Sequence, residues 1–523
     1  MNVLKHIAVI SILFINGLYL PVQATPYPWF ESFKDSTSIS LDTTTLNHFY
    51  TNSSPDSIWL NNKVISQHAY DALDFISGSA KHGLNPNKYH LSLLNNLDPS
   101  LNDDSAKQFE LLLSDGLLKL IHDISVGQFQ SSVADPDWFI PQARFNEVEF
   151  LQQALLSPHL KSQLNSLSPN SPAYHKLTQA LARYQSYVDR GGWAAIPKMN
   201  LTRPTESHQN IPLIRERLAF DYKELVLTTK NNIRYYDHFL EQAVRQFQTK
   251  HGLKSDGIIG SETRNAMNVS ATDRLHQIKV TLERHRWMPD NLGHRYLMVN
   301  LASYQLQAIN NGNEELNMKV IVGRKSRPTP SFSSKMNRLV FNPYWNVPRK
   351  LAKLDLLPKQ QNNFNYFYLH DIRVFSHENG KKIEHDPYTI NWESVTPSNF
   401  SYMLRQDPGD KNALGKLKFM FPNQWSIYLH DTSHRELFSE TKRSLSSGCI
   451  RVEDPIALAN FSLAKPAAQE TIMNMLESKK NRGLKLSEPL SIYAVYFTVW
   501  IDGNDVKFSP DVYQRDERIA KLL

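Results

Sequence analysis

The chain has 523 residues, a net charge of +7 and a single cysteine, Cys449. One thiol excludes an intramolecular disulfide framework, and a positive charge this small and scattered, without a block of five like charges, argues against nucleic acid as a partner. At about 150 residues per domain, the length asks for three domains or so.

The N-terminus reads Met1-Asn2-Val3-Leu4-Lys5-His6, runs apolar from Ile7 to Leu20 with Ser11 and Asn16 as interruptions, and reaches Val22-Gln23-Ala24. A basic start, an apolar run of about 14 residues and a small-x-small end predict a signal peptide over 1–24, since a spanning helix needs roughly 20. Left uncleaved, the same segment would be an N-terminal membrane anchor. Either way the remainder is expected outside the cytoplasm. There an unpaired thiol is better explained by a catalytic or intermolecular role than by chance.

Residues 25 to about 57 are rich in Ser, Thr, Asp and Pro and read as an extended lead-in. Between Ser66 and Trp193 helical spacing dominates. Tyr70, Leu73, Ile76 and Ser77 are placed on one helix face, and Phe109, Leu112, Leu113, Leu117, Leu118 and Ile121 recur at spacings of three and four. Residues 25–205 are therefore expected to form a mostly helical scaffold whose aromatic side chains build its core.

A second unit is expected over 206–272. Ile211, Ile214 and Leu218 form one stripe; Asp237 stands where a helix N-cap would, ahead of Phe239, Leu240, Ala243, Val244 and Phe247; Ser261 is expected to cap a last short helix. The run AVRQFQTKHGLKSDGIIGSET resembles the three-helix peptidoglycan-binding module of wall-acting proteins. A helical spacer that has lost its ligand groove would carry the same core, so binding by the module stays open.

From about 290 the periodicity becomes that of strands. Tyr296–Leu301, Tyr304–Ile309 and Lys319–Gly323 are dense in β-branched and aromatic residues, with Asn310-Asn311-Gly312-Asn313 as a hairpin turn. Arg349 to about Arg405 breaks this pattern and is expected to be an inserted lid. Strands are predicted again at Leu417–Phe421, Trp425–His430 and Ser491–Ile501, and helices from Pro455 to about Leu463, capped by Asp454, and from Ala467 to Leu476. The fold class expected is thus multi-domain α+β: a helical scaffold, a small helical module and a β-rich domain over 290–523.

Cys449 lies in Ser446-Ser447-Gly448-Cys449-Ile450-Arg451. An unperturbed thiol is only a few per cent ionised near neutrality, so a nucleophilic cysteine calls for a base or a positive field nearby. His430, at the end of a predicted strand and followed by Asp431-Thr432, is the candidate base. His370 sits in a similar Tyr-Leu-His-Asp run, but within the insertion. The small Ser447 and Gly448 would let substrate backbone approach, and the amides around Gly448 and Cys449 could receive an oxyanion. Spacing places His430 and His434 four apart, but Asp431-Thr432-Ser433 is a poor helix interior for a metal pair, and no metal or other cofactor is expected.

His430-Asp431-Thr432, fifteen intervening residues and then Ser446-Ser447-Gly448-Cys449-Ile450-Arg451 resemble the signature of the L,D-transpeptidases. Ser447 departs from that family's commoner form, which carries a second histidine there, leaving His430 as the base. Asn412-Ala413-Leu414-Gly415 and Phe421-Pro422-Asn423 extend the likeness, and the domain order resembles the large periplasmic members of Gram-negative bacteria. The resemblance implies a lid-bearing catalytic domain, location in the periplasm, Cys449 as nucleophile, and Arg451 steadying the loop or meeting a substrate carboxylate. It also implies peptidoglycan stem peptides as donor and acceptor, with partners in wall synthesis. A carboxypeptidase or cysteine peptidase using water as acceptor, or a non-catalytic wall-binding protein, are the alternative readings.

Overall fold

The computed structural model describes residues 40–51, 57–226, 233–465 and 468–523. The predicted signal peptide at 1–24, and most of the lead-in, lie outside the described residues.

The C-terminal half is organised by one sheet that closes on itself. Its strands are β1 (Trp138–Phe139), β2 (Arg295–Asn300), β3 (Gln305–Asn310), β4 (Asn313–Gly323), β5 (Ser331–Phe341), β6 (Leu417–Met420), β7 (Leu429–His430), β8 (Ser444–Ser446), β9 (Ile450–Val452) and β10 (Arg482–Val495). The order β6-β7-β9-β4-β3-β2-β10-β5 returns to β6 because β5 also pairs with β6, so these strands form a ring. Alternate residues face inward, as strand pleating requires: Leu297, Val299, Leu306, Ala308, Val320, Val322, Leu339, Phe341, Leu417, Phe419, Leu429, Ile450 and Ile492 fill a common core. The β3–β4 hairpin turns through Asn311 (φ 49°) and Gly312 (φ 80°), the two left-handed residues that a tight primed turn needs.

Two strand expectations are corrected. Of Trp425–His430 only Leu429–His430 is strand; the rest is a turn with Ser426 at φ 56°, tied by Asn423 Oδ1, which accepts from the Trp425 and Ile427 amides. The predicted Ser491–Ile501 strand is two, because β10 ends at Val495 and Val499–Asp502 pairs instead with Asp505–Phe508 in a separate hairpin.

The insertion is a folded subdomain with its own four-stranded sheet. Trp345–Asn346, Ile372–Glu378, Lys381–His385 and Met403–Gln406 make up that sheet, and Ala352, Leu357, Phe367, Val374, Trp392, Phe400 and Leu404 are buried beneath it. Its first helix opens at Arg349–Leu351 and turns π-helical over Ala352–Leu356.

In the helical module, Ile211–Val226 (broken at Tyr222), His238–Lys250 and Ser261–Met267 enclose Ile211, Ile214, Leu218, Leu240, Val244, Phe247 and Met267. Asp237 caps its helix by accepting the Leu240 amide at 2.8 Å, whereas the last helix is capped by Gly260 rather than Ser261, and Phe239 is exposed. Gln248 explains the loop sequence that follows: its amide group donates to Asp256 Oδ1, Ile258 O and Thr263 Oγ1 and accepts from Gly257 N.

The scaffold is built on Asp103–Val126, capped by Asn102 and buried on nearly every side from Phe109 to Leu118. On Gln67–Gly78 the buried face is Ala69, Ala72 and Ile76; Tyr70 points to solvent, contrary to the expected stripe. The expected unit 25–205 also divides its packing. Helix Pro172–Asp189 packs on Ala271–Arg286, a helix the sequence reading did not place, and on the 499–508 hairpin, while β1 joins the large sheet alongside β5.

Buried ion pairs fasten this joint. Asp135 accepts from Arg284 and Arg515, Asp516 from Arg284, and Glu283 from Arg286, the Trp287 indole and the Phe129 amide. Each guanidinium is almost wholly buried and each has a carboxylate, the condition under which buried charge is tolerated.

Candidate active site

Strand register assembles the site. β7 runs parallel to β9 with Leu429 beside Ile450 and His430 beside Arg451, and antiparallel to β6 with Lys418 beside His430. Leu429, Ile450 and Phe419 point into the core, so the alternate residues Lys418, Tyr428, His430, Cys449 and Arg451 share the opposite face. Of that face Tyr428, His430, Cys449 and Arg451 wall a cleft of about 920 Å³, closed on other sides by Trp425, Ser447, Arg324, Arg327 and, from the insertion, Leu354, Asp355 and Lys359. Phe139 of β1 stacks edge-on against Trp425 with ring centroids 4.7 Å apart, so the scaffold reaches the cleft wall.

His430 is fixed by its neighbour. Its Nδ1 lies 2.5 Å from Asp431 O, which assigns the proton to Nδ1 and leaves the Nε2 lone pair free to accept. Burial, with the positive charges of Arg451 and Lys418, lowers its pKa to about 3, so the imidazole is neutral at any ordinary pH. Burial pushes the Cys449 thiol up, against the opposing pull of hydrogen bonds from Tyr428 and the charges of Lys418 and Arg451. The resting pair is therefore neutral thiol and neutral imidazole. Sγ contacts Ser426 O at 3.9 Å, and no thiol–imidazole hydrogen bond is present among the described residues; such contacts commonly tighten when substrate binds.

The Ser446–Cys449 loop is held from several sides. Ser446 Oγ donates to Cys449 O at 2.5 Å and accepts the Gly448 amide at 3.1 Å; Thr329 Oγ1 donates to Gly448 O at 2.8 Å and accepts the Gly323 amide. The Gly448 amide is thus already engaged by Ser446 Oγ. Ser447 Oγ turns away from the thiol to accept from Arg324 and Arg327, each at 3.2 Å. Arg451 lines the cleft with its Nε lacking a hydrogen-bond partner among the described residues, and desolvation lowers its pKa.

Asp431 explains part of the upstream motif. Its carboxylate accepts the Lys416 amide at 2.9 Å and Arg435 Nη1 at 3.0 Å, and it lies against Gly415, where an added Cβ would come within 2.3 Å of Oδ2. Gly415, at φ 59°, is required for both reasons. His434 is exposed beside Glu436 and does not converge with His430, whose Nδ1 is occupied. His370 stacks on Tyr366 within the insertion, outside the cleft lining.

Sequence reasoning missed Lys418, Arg324, Arg327 and Asp355. Period-two register with His430 could have indicated Tyr428; nothing local announces the others, because they arrive from a facing strand, a turn and the insertion.

Comparison with known proteins adds three family matches. Residues 44–181 match the scaffold domain model, 207–267 the model described as "Putative peptidoglycan binding domain", and 294–471 the L,D-transpeptidase catalytic domain model. A Haemophilus influenzae protein described as "Putative L,D-transpeptidase" is 38% identical over 244 residues, 46% of this chain and 48% of that protein, so the match spans about half of the relative's length. Solved L,D-transpeptidases from Stackebrandtia nassauensis and Xylanimonas cellulosilytica are each 12% identical; they cover 56% and 57% of this chain and 97% and 99% of their own, with TM-scores of 0.21 and 0.17. Likenesses that low bear no weight. The three matches fall in sequence along the chain, scaffold first, then the peptidoglycan-binding model, then the catalytic-domain model. Residues 294–471 are thus similar to L,D-transpeptidase catalytic domains.

Proposed function

We propose that the protein is a peptidoglycan L,D-transpeptidase acting outside the cytoplasm, in the periplasm, with Cys449 as nucleophile and His430 as general base. The carrying observation is that register puts both side chains on one face of one cleft, with a neutral His430 whose Nε2 can accept. In the reaction, Sγ bonds to the carbonyl carbon joining the third and fourth residues of a tetrapeptide stem while its proton passes to His430 Nε2. Collapse breaks the C–N bond, and the same proton leaves with the terminal D-alanine amine. The side-chain amine of a diamino acid on a second stem then attacks the thioester, freeing the thiol and closing a 3-to-3 cross-link.

Lys418 and Arg451 supply the positive field in which a thiolate can develop. Domain limits of 25–205, 206–272 and 290–523 are part of the same proposal, with the 206–272 module holding the enzyme on its polymer. The insertion, which overhangs the cleft through Leu354, Asp355 and Lys359, limits water and favours amine over water as acceptor.

Chromatography and mass spectrometry of the products from tetrapeptide muropeptides test this. Cross-linked 3-to-3 dimers are expected. Tripeptides alone would make the enzyme a carboxypeptidase, and no conversion would reject the reading.

A further inference from the structure

The turn after β4 brings two guanidinium groups to the lip of the cleft. Arg327 N donates to Arg324 O at 2.8 Å, and an added Cβ on Gly323 would lie 2.3 Å from Arg327 O, so the turn can be this tight only with glycine. Arg324 N donates to Ser446 O at 2.9 Å, which ties the turn to the nucleophile loop. Both side chains converge on one carboxylate. Arg324 Nη2 lies 3.1 and 3.3 Å from the oxygens of Asp355, Arg327 Nη2 lies 3.0 Å from Oδ1, and Arg327 Nη1 donates to Oδ2. The same two arginines donate to Ser447 Oγ, two residues from Cys449.

Charge and exposure separate this cluster from a structural clamp. Two cations meet one anion, so one positive charge is left over, and Lys350, Lys359 and Arg451 add to it along the cleft, where Asp355 is the one carboxylate among the described lining residues. The side chains of Arg324, Arg327 and Asp355 are 38%, 17% and 26% exposed, within reach of a solute. Paired guanidinium forks match the two oxygens of a carboxylate in geometry as well as charge. Asp355 itself comes from the π-helical segment Ala352–Leu356 near the start of the insertion, a geometry that recurs at functional sites.

We propose that Arg324 and Arg327 form a carboxylate subsite that Asp355 occupies as an internal stand-in. A ligand carboxylate displaces Asp355 and frees the start of the insertion, and by reciprocity a freed insertion raises affinity for the carboxylate. The subsite rests on the transpeptidase reading only for the ligand's identity. That ligand is a stem-peptide carboxylate, from either the terminal D-alanine or the diamino acid.

Calorimetry on the full-length protein carrying Cys449→Ala, with a tetrapeptide stem and with versions amidated at one carboxylate or the other, tells the two sources apart. One amidation is expected to weaken binding about tenfold or more, the scale of a charged hydrogen bond, and Arg327→Gln to abolish that difference. Asp355→Asn, an isosteric change, should tighten binding of the acid several-fold and raise hydrogen exchange across 349–362 before ligand is added. Equal binding of acid and both amides, or weaker acid binding by Asp355→Asn, would overturn the proposal without depending on any variant of the arginines. The small pair N-acetyl-D-alanine and N-acetyl-D-alaninamide reads the subsite apart from the chemistry. Exchange at 349–362 that rises with the acid alone, while wild type is not acylated by the tetrapeptide, keeps the subsite and rejects the reaction; acylation with no carboxylate dependence does the reverse.

Discussion

Two clusters of arginine in this molecule obey opposite rules. At the joint between scaffold, linking helix and C-terminus, Arg284, Arg286 and Arg515 are buried and matched by Asp135, Glu283 and Asp516. At the cleft, Arg324, Arg327 and Arg451 stand with Lys350 and Lys359 around a single carboxylate, and Lys418 charges the wall behind them. A charge removed from water must find its partner within the protein. A charge left on a cleft wall without one is available to a ligand or to a developing anion. The joint's charges are paired within the protein, and the cleft keeps an excess of positive charge.

The largest effect expected is on the unbalanced side. His430→Gln keeps a polar side chain at the base position but removes the neutral imidazole, and should slow acylation of Cys449 by about 10²–10⁴-fold, as loss of a general base does. Stopped-flow or quenched mass spectrometry reads the rate; a change under tenfold would remove His430 from the mechanism. Next, on the balanced side, Asp135→Ala leaves Arg284 and Arg515 buried without their shared partner. It should cost about 3–5 kcal/mol, read from the denaturant midpoint. A loss under about 1 kcal/mol would mean that the joint is not held by these charges.

Acid should weaken the fold by a smaller step. Burial is the first cause lowering His430 to about 3, His285 and His82 to about 4, and His251 well below its ordinary range; nearby arginine charges add to each. These groups fold neutral and take up protons only on unfolding, so their contribution is complete above about pH 6.5 and is lost as pH falls toward 4. Each group contributes up to about 1.4 kcal/mol per pH unit across that window. Asp123, raised to about 6 by burial, works the other way, as do Glu110 and Asp516, also raised by burial, and His122, raised by its hydrogen bond to Glu147; together they offset part of the loss from the four histidines. The melting temperature should therefore fall between pH 7 and 4.5; a flat profile would contradict the neutral burial of His430. The smallest effect belongs to Lys442–Glu262, an exposed pair that links the helical module to the loop before Cys449. Glu262→Gln should change stability by less than about 1 kcal/mol, and a larger loss would make that surface a true interface.

The contrast also explains what could be read from the chain. Alternating apolar residues such as Lys319–Gly323 and the Asn311-Gly312 turn announce β structure because pleat and turn geometry act locally. The closing of the sheet does not show, since pairing of β5 with both β10 and β6 joins residues far apart in sequence. Helix Ala271–Arg286 escaped because its buried face carries Arg274, Arg284 and Arg286, whose burial depends on acids from distant segments. At the site, Cys449 and His430 stood out through a lone thiol and a motif. Lys418 did not, because its place beside His430 follows from register, and Asp355 did not, because the insertion must fold before its carboxylate meets two arginines.

The most direct test is the intact mass of the full-length protein after incubation with a tetrapeptide stem and an acid quench, wild type beside Cys449→Ala. A tripeptide-acyl adduct on wild type, mapped to Cys449 and absent from the variant, is the result predicted. An unmodified wild type, or an adduct that survives Cys449→Ala, would contradict it.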